Sequence, residues 1–247
     1  MRRGLRTVIG ALALQAALLL AASPTPAAAK PHPARKAAAP IQVTAAAAQM
    51  ADWVRGSADN RGLPFAIIDK VAAKVFVFDA DGQLKGAAPV LLGSAPGDDT
   101  APGVGGEDLS SVRPEERTTP AGRFFVGYAP AKGGKNVLWV DYAAGISLHR
   151  VVTSNPKERR LQRLKSATPD DNRISYGCIN VSAVFYDKVV KPTFTENGVV
   201  YILPEAKPLT EVFPTFVAQS AAGAAAADHA EAGPADGTAG GAEAHSR

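Results

Sequence analysis

Short runs of β-branched and aromatic residues, separated by turn residues, limit the fold of this chain more than any other sequence feature. Residues 65–69 read FAIID and residues 74–79 read KVFVFD, which is typical of short strands. Residues 79–82 (DADG) have the composition of a turn, and a further strand is expected at 88–92. This order predicts a β-meander whose strands are joined by hairpin connections.

The rest of the pattern adds strands and a few short helices. A turn that leads into a strand is expected at residues 118–126, and further strands are expected at 137–142, 145–149 and 198–203. Thr44 is suited to cap a helix that ends near Arg55, and Ser182 to cap one that ends at Pro192. Residues 157–165 are expected to form a short basic helix. The sum is a mainly β domain with one or two short helices.

The two ends of the chain lack the pattern of a packed core. Residues 1–29 combine early arginines, an apolar run and closing alanines, which is typical of a secretory signal peptide, with an uncleaved membrane anchor as the alternative. Residues 30–48 form an Ala/Pro-rich linker, and residues 207–247 a low-complexity, disordered tail. We therefore expect one folded domain at 49–206, exported to the periplasm or cell wall, with no stable membrane anchor after signal cleavage.

Charge and histidine placement argue against two classes of function. The net charge of +4 is too diluted to indicate a nucleic acid partner and suits an acidic polymer surface only weakly. His32 falls in the linker, and His229 and His245 fall in the tail without a companion Cys or His at ligand spacing. Neither a metal nor another cofactor is therefore expected.

The only cysteine, Cys178, follows Gly177 in a turn flanked by apolar residues. A single cysteine is often an inert buried residue, and the residues alone leave that interpretation open. An exported chain with one cysteine can form no internal disulfide, however, which favours a chemical use of the thiol. His149 is the only histidine inside the predicted domain. It is either the base that takes the thiol proton or a histidine without a partner.

Three motifs, in this order along the chain, resemble the catalytic domain of the L,D-transpeptidases (YkuD type). They are TPAGRF at 119–124, ISLH at 146–149 and SYGCIN at 175–180, and residues 67–93 resemble the start of that domain. The resemblance covers most of residues 65–204. It implies an L,D-transpeptidase-like β-sandwich with one or two short helices, and an enzyme that acts on peptidoglycan stem peptides.

The resemblance also implies roles for individual residues. Cys178 matches the nucleophile that attacks a tetrapeptide stem, releases D-alanine and forms a thioester, and His149 matches the general base. The backbone amides of Gly177 and Cys178 match the oxyanion site. An amine of a second stem then attacks the thioester and forms an L,D cross-link. The family needs no metal for this reaction.

Two features depart from the family pattern. Tyr176 occupies the position before Gly177, where the family usually has histidine, so we expect an effect on acceptor binding or on thiolate stabilisation. The interval between His149 and Cys178 is longer than is usual in the family. Residues 155–172 within it are either a lid or substrate-facing insertion, or a passive surface loop.

Three more residues around the cysteine are candidates for substrate binding. Arg173 is a candidate to hold a stem carboxylate through a bidentate contact, with an exposed surface arginine as the alternative. Ser175 is expected either to orient His149 or to cap the turn. Asn180 is expected to stabilise the loop more than to perform chemistry.

Two other functions stay open from the sequence. In a hydrolase of the same family, water replaces the amine at the acyl-enzyme, which gives an L,D-carboxypeptidase or an enzyme that removes cross-links or attached proteins. The third interpretation is a non-catalytic peptidoglycan-binding module, in which Tyr176 marks a decayed site.

Overall fold

The computed structural model describes residues 41–216. The predicted signal peptide, most of the predicted linker and residues 217–247 of the predicted tail lie outside the described residues. Between residues 41 and 216, no helix has the length and apolar character needed to cross a membrane.

The described part of the chain contains ten strands, eight of them in one continuous sheet. They are β1 Phe65–Asp69, β2 Lys74–Phe78, β3 Leu84–Pro89, β4 Leu92–Gly93, β5 Gly122–Pro130, β6 Asn136–Asp141, β7 Ile146–Arg150, β8 Arg173–Ser175, β9 Ile179–Val181 and β10 Asn197–Ile202. The order of the large sheet is β3-β2-β1-β10-β5-β6-β7-β9, and β4 pairs with β8 in a second, two-stranded sheet. The predicted mainly β class is confirmed.

Short helices lie around the sheet. The α-helices are α1 Ala45–Ser57, α2 Arg160–Arg163, α3 Ala183–Phe185, α4 Lys191–Thr193 and α5 Leu209–Val212, and 3-10 turns lie at Val104–Gly106, Pro114–Glu116, Pro156–Glu158 and Pro169–Asn172. Both predicted caps are present: the hydroxyls of Thr44 and Ser182 accept first-turn amides at 3.3 and 3.2 Å, each contributing about 1 kcal/mol. A π-helical turn, Tyr186–Val190, joins α3 to α4 and carries the helix past Pro192, its predicted end.

The hairpin prediction is right for the pairs β1–β2, β2–β3, β5–β6 and β6–β7 and wrong for the other pairings, three of which are parallel. β1, β2 and β3 form the predicted meander, and β5, β6 and β7 are also antiparallel neighbours. The last strand, β10, instead inserts between β1 and β5 and runs parallel to β1, while β9 runs parallel to β7. Parallel pairing requires a long crossover connection, and the chain between each of these pairs supplies one.

The strand expected at 88–92 is divided between the two sheets. β3 ends at Pro89, which has no amide hydrogen to continue a ladder, and β4 leaves the large sheet to pair with β8. Between them, Leu91 exchanges two backbone hydrogen bonds with Asn180, at 2.8 and 2.9 Å. This change of partner brings the end of the meander next to the residues that follow Cys178.

Apolar side chains are buried on both faces of the large sheet. Ala66 and Ile68 of β1 belong to one cluster, and Phe65 and Ile67 to the other, as the alternation along a strand requires. The first cluster joins β1 and β2 to β6, β7 and β9, which lie at the far end of the strand order. The sheet therefore curls so that its two ends share one core. α1 and the residues around α5 cover the second cluster.

The packed chain extends beyond the predicted limits of 49 and 206. Ala47, in the predicted linker, is fully buried in α1. Phe213, in the predicted tail, is 3% exposed, and its ring centroid lies 6.3 Å from that of Tyr201. Burial of an aromatic ring stabilises the segment that carries it, so the chain stays packed after β10.

Candidate active site

Strand pairing places His149 beside the Cys178 turn. β7 and β9 are parallel neighbours at the edge of the sheet, with Leu148 opposite Ile179. Both of these residues point into the core, so the alternation of side chains places Ser147 and His149 on the opposite face. Cys178 immediately precedes β9, and the thiol and the imidazole therefore meet on this face.

Gly177 and Ser175 shape the turn that presents the thiol. Gly177 has a φ of +117°, and a Cβ at this position would lie 2.6 Å from both Ile146 Cδ1 and Thr118 O, so only glycine fits. Ser175 Oγ donates to Cys178 O at 2.6 Å and accepts from Gly177 N at 3.1 Å. The serine hydroxyl thus closes the turn, which was one of its two predicted roles.

The thiol of Cys178 is partly exposed and lies among groups that favour the thiolate. Its Sγ is 3.6 Å from Ser147 Oγ and 3.5 Å from the Gly145 carbonyl oxygen. Burial alone raises the pKa of the thiol, but the interactions with the nearby His149 and Ser147 outweigh burial. The pKa of Cys178 is therefore lowered from its usual value.

The hydrogen bonds of His149 define its tautomer. Nδ1 lies 2.7 Å from Arg150 O, and because a carbonyl oxygen only accepts, Nδ1 carries the hydrogen. Nε2 lies 3.2 Å from Asn180 Nδ2 and is the nitrogen left to take a proton. Burial lowers the pKa of His149, whereas its interaction with Cys178 raises the pKa. The second effect is larger with the help of Arg150 O, so the pKa of His149 lies above its usual value.

These opposite pKa shifts decide what the pair can do. A lowered thiol pKa and a raised imidazole pKa both favour transfer of the proton from Cys178 to His149. The thiolate is the nucleophilic form of cysteine, and the imidazolium can return the proton to a leaving group. The arrangement suits covalent transfer of an acyl group through a thioester.

The two backbone amides predicted for the oxyanion site differ in their hydrogen bonds. The amide of Gly177 is occupied, because it donates to Ser175 Oγ. The amide of Cys178 donates to no acceptor among residues 41–216. Of the two amides that the sequence predicted, only the Cys178 N–H is free to stabilise negative charge on a substrate oxygen.

Arg173 and Ser175, both predicted to bind substrate, have structural contacts instead. Arg173 pairs with Glu205 and donates from Nη2 to Lys70 O at 3.2 Å, while its Nη1 is buried without a partner. Ser175 is 2% exposed. A guanidinium balanced by a carboxylate and a hydroxyl shielded from solvent are poorly placed to hold a substrate carboxylate. The prediction missed this because Glu205 lies in a distant part of the sequence.

Tyr176 and Asn180 stay next to the reactive pair. Tyr176 is partly exposed, and the guanidinium of Arg117 stacks over its ring at 4.1 Å from the centroid. Arg117 is fixed by two hydrogen bonds to Val112 O, at 3.1 and 2.9 Å. Asn180 is fully buried and contacts His149, so its role is internal. The sequence predicted neither Arg117 nor its stacking on Tyr176.

A buried ion cluster that the sequence did not indicate lies beneath the turn. We define the Lys70 cluster as Lys70, Asp98, Arg173 and Glu205. Lys70 is 1% exposed, and its Nζ lies 2.6 Å from Asp98 Oδ1 and 3.4 Å from Glu205 Oε1. The cluster is balanced by two cations and two carboxylates. Across residues 41–216, no group of three or more His, Cys, Asp or Glu side chains is placed to hold a metal ion.

Thr119 connects the Lys70 cluster to the Cys178 turn. The ammonium of Lys70 donates to Thr119 O at 2.9 Å, and Thr119 Oγ1 donates to Gly177 O at 2.8 Å. Thr119 Oγ1 also accepts from Gly93 N at 2.8 Å, and the residue is fully buried. The first of the three sequence motifs therefore supports the turn that contains the third.

Segment 155–172 is not the continuous helix that was expected at 157–165. The 3-10 turn Pro156–Glu158 is followed by Arg159, whose φ of +51° interrupts any helix. α2 then adds about one helical turn. The basic composition is compatible with a helix, but the left-handed residue divides it.

The same segment is attached to the domain near both of its ends. Arg160, at the start of α2, donates from Nη1 to Asn180 Oδ1 at 2.7 Å. Asn172 is 2% exposed and donates from Nδ2 to Val90 O at 2.7 Å. Of the contacts that the segment makes, the one from Arg160 reaches the residue beside His149.

Comparison with known proteins gives weak similarities to L,D-transpeptidases. No family model and no curated protein matches the chain. The catalytic domain of the E. faecium L,D-transpeptidase aligns with 56% of this chain and 95% of its own length, at 15% identity and a TM-score of 0.32. An L,D-transpeptidase from Mycobacterium smegmatis aligns with 56% of this chain and 58% of its own length, at 16% identity and a TM-score of 0.32.

A third solved structure is the helical cell shape determining protein Pgp2 from Campylobacter jejuni. It aligns with 64% of this chain and 57% of its own length, at 13% identity and a TM-score of 0.39. In this and the mycobacterial case, the match spans little more than half of the other protein. Similarities of this size carry no argument about this chain, so its chemistry has to be inferred from the site and its motifs.

Proposed function

We propose that this chain is an exported cysteine acyltransferase that acts on peptidoglycan stem peptides and forms L,D cross-links in the cell wall. The observation that carries the proposal is the pairing of β7 with β9, which brings His149 beside Cys178, and the pKa values of both groups move in the directions that thiolate formation requires. The substrate class rests on the motifs at 119–124, 146–149 and 175–180, which resemble the L,D-transpeptidases.

In the first half-reaction, Cys178 attacks the carbonyl carbon of the third residue of a tetrapeptide stem. The thiol proton passes to Nε2 of His149, and the N–H of Cys178 donates to the oxyanion that forms. The carbonyl is restored as the C–N bond to the terminal D-alanine breaks, and His149 returns the proton to the leaving amine. The products are free D-alanine and a thioester on Sγ.

In the second half-reaction, an amine of another stem attacks the thioester carbonyl. His149 takes a proton from the attacking amine, the C–S bond breaks, and the proton returns to the sulfur as the new amide forms. Tyr176 and Arg117 present an aromatic and a cationic surface next to this position, and we assign the acceptor stem to them. A cation suits the carboxylates that stem peptides carry.

The experiment that tests the proposal is intact-protein mass spectrometry after incubation with a disaccharide tetrapeptide. We expect a species heavier by the donor stem without its terminal D-alanine, and none in Cys178→Ala. A protein that stays unmodified, although iodoacetamide still alkylates its Cys178, would contradict the proposal.

The same experiment separates transfer from hydrolysis. If water takes the place of the amine, the stems are shortened by one residue and no joined product appears. If a second stem is the acceptor, the mass of two stems minus one D-alanine appears in the product mixture. We expect the joined product.

A further inference from the structure

The carboxamide of Asn180 links the reactive pair to segment 155–172. Asn180 is fully buried, and its backbone is held by the two hydrogen bonds with Leu91. Its Oδ1 accepts from Arg160 Nη1 at 2.7 Å, and its Nδ2 lies 3.2 Å from His149 Nε2. One side chain thus contacts both a guanidinium of the segment and the nitrogen that takes the thiol proton.

Arg160 holds the oxygen of this carboxamide, and a longer contact of 3.4 Å from Asn180 Nδ2 to Cys178 O supports the same orientation toward His149. A guanidinium only donates hydrogen bonds, so it contacts the oxygen of Asn180 and not the amino group. The amino group is thereby directed at Nε2, where it donates to the lone pair of the neutral imidazole. If Nε2 were protonated, two N–H groups would face each other and the contact would be lost. The arrangement therefore favours the neutral imidazole.

The charge of Arg160 also favours the neutral form of the imidazole. Arg160 has a side chain that is 11% exposed, and its charge lowers the pKa of His149. Glu158 holds this guanidinium by contacting its Nε at 2.5 Å. Arg150, the neighbour of His149 on β7, directs its own guanidinium to Asp187 and is balanced there. Arg160 is therefore the cation that bears on His149 through a defined hydrogen-bond path.

The thiol of Cys178 acts in the opposite direction and favours the protonated ring. The protonation state of His149 is thus set by two opposing influences. One comes from the turn at Gly177, and the other comes from segment 155–172 through Asn180.

We propose that Arg160 is a positioning residue that orients Asn180 and thereby keeps Nε2 of His149 free of its proton until Cys178 supplies one. The inference rests on the proposed function to the extent that both use the same thiol and imidazole. It also assigns a role to segment 155–172, which sequence reasoning left as either a substrate-facing insertion or a passive loop.

The test is the pH dependence of Cys178 alkylation by iodoacetamide in the full chain, which contains a single thiol. Arg160→Met removes the donor and the charge, so only the 3.4 Å contact to Cys178 O still holds the amino group in place, and the carboxamide can turn its oxygen toward a protonated Nε2. The ion pair of thiolate and imidazolium is then more populated relative to the neutral pair. We expect alkylation below the wild-type midpoint to be about threefold or more faster than in the wild type.

Two variants make this result specific. Arg160→Lys keeps a charged donor and should restore most of the wild-type profile. Arg159→Met is the matched control, because this adjacent arginine donates to Gln162 at 2.6 Å and has no contact with Asn180. Its alkylation profile should coincide with that of the wild type.

An unchanged profile in Arg160→Met, a shift to higher pH, or an equal shift in Arg159→Met would overturn the proposal. Thermal unfolding reports whether each variant is folded. If Arg160→Met does not fold, Asn180→Leu replaces it, because it removes the same amino group; a smaller shift to lower pH is expected, and no shift overturns the proposal. Iodoacetamide takes the place of any peptidoglycan substrate, so a failure of the proposed function leaves this test intact.

Discussion

The Lys70 cluster and the Cys178–His149 pair both bring opposite charges together, but only one of them can exchange its proton. The side chains of Lys70 and Asp98 are at most 1% exposed. Burial raises the pKa of Asp98, but hydrogen bonds from Lys70 and three backbone amides lower it to about 2. The carboxylate of Asp98 is therefore charged at neutral pH. The thiol and the imidazole are partly exposed and share one proton.

The number of partners explains the difference. The ammonium of Lys70 donates to Gly97 O, Asp98 Oδ1 and Thr119 O, at 2.5, 2.6 and 2.9 Å, so all of its hydrogens are used. The thiol of Cys178 is influenced by the imidazole of His149 and by the hydroxyl and backbone of Ser147, and its contacts to Ser147 Oγ and Gly145 O are long, at 3.6 and 3.5 Å. A charge with a full set of partners stabilises the fold, whereas one with few partners stays available for chemistry. Substitutions in the two regions should therefore have opposite effects.

The largest expected effect is a loss of acyl-enzyme formation with little change in the stability of the fold. Cys178→Ala should abolish formation of the acyl-enzyme, a loss of more than about a thousandfold, because no other residue supplies the nucleophile. The free energy of unfolding should change by less than about 1 kcal/mol, since the side chain is small and partly exposed. Intact mass and urea unfolding measure the two quantities, and a large loss of stability would show that the thiol is structural.

The reverse is expected at Asp98. Asp98→Asn leaves the ammonium of Lys70 buried with only the more distant Glu205 to balance it, and should lower the free energy of unfolding by about 3 kcal/mol. Asp99→Asn is the control, because Asp99 is 75% exposed and pairs with Lys207 at the surface; about 0.5 kcal/mol or less is expected. Equal losses in the two variants would remove the distinction drawn above.

A substitution at Gly177 should affect both regions at once, because Thr119 ties this residue to the cluster. Gly177→Ala combines a φ of +117° with contacts of 2.6 Å, and should cost about 2–3 kcal/mol and slow acylation about tenfold. Gly97→Ala also has a positive φ, +132°, but its Cβ would meet nothing closer than 3.4 Å. It should cost about 1 kcal/mol and leave the acylation rate unchanged. The comparison uses urea unfolding and the rate of acyl-enzyme formation.

The pKa of Asp98 predicts the acid stability of the fold. Because the folded pKa of about 2 is below the ordinary value of 3.8, the stabilisation is complete above about pH 4 and is lost as the pH falls through 2. The loss should amount to about 2 kcal/mol. The difference in unfolding free energy between wild type and Asp98→Asn should shrink over this interval in urea titrations. A difference that stays constant from pH 6 to pH 2 would contradict the assignment.

The sequence predicted the local elements better than their partners. β1, β2, β6, β7 and β10 lie close to the expected runs, because β-branched and aromatic residues form strands through local preference and burial. That β10 lies between β1 and β5 depends on contacts between distant segments, and no local pattern reports them. The strand predicted at 88–92 is a second example, because the apolar run suggested one continuous strand, whereas β3 ends at Pro89.

The site was predictable to the extent that its chemistry depends on residue type. Cys178 and His149 were found because each is unique within the predicted domain. The hydrogen bond from the amide of Gly177 to Ser175 Oγ was not predictable, because the shape of the turn decides it. Lys70 has no sequence signal, since a lysine after a strand reads as a surface residue until Asp98 is placed against it.

The most direct test of the central claim is the pH at which the Cys178 thiol becomes reactive, measured by iodoacetamide alkylation in the wild type and in His149→Asn. The account predicts a wild-type midpoint below that of an ordinary thiol. In His149→Asn the midpoint should rise above the ordinary value, because burial then acts on the thiol pKa without the imidazole to oppose it. Coincident midpoints in the two proteins would show that Cys178 and His149 are not coupled, and the catalytic interpretation would fail.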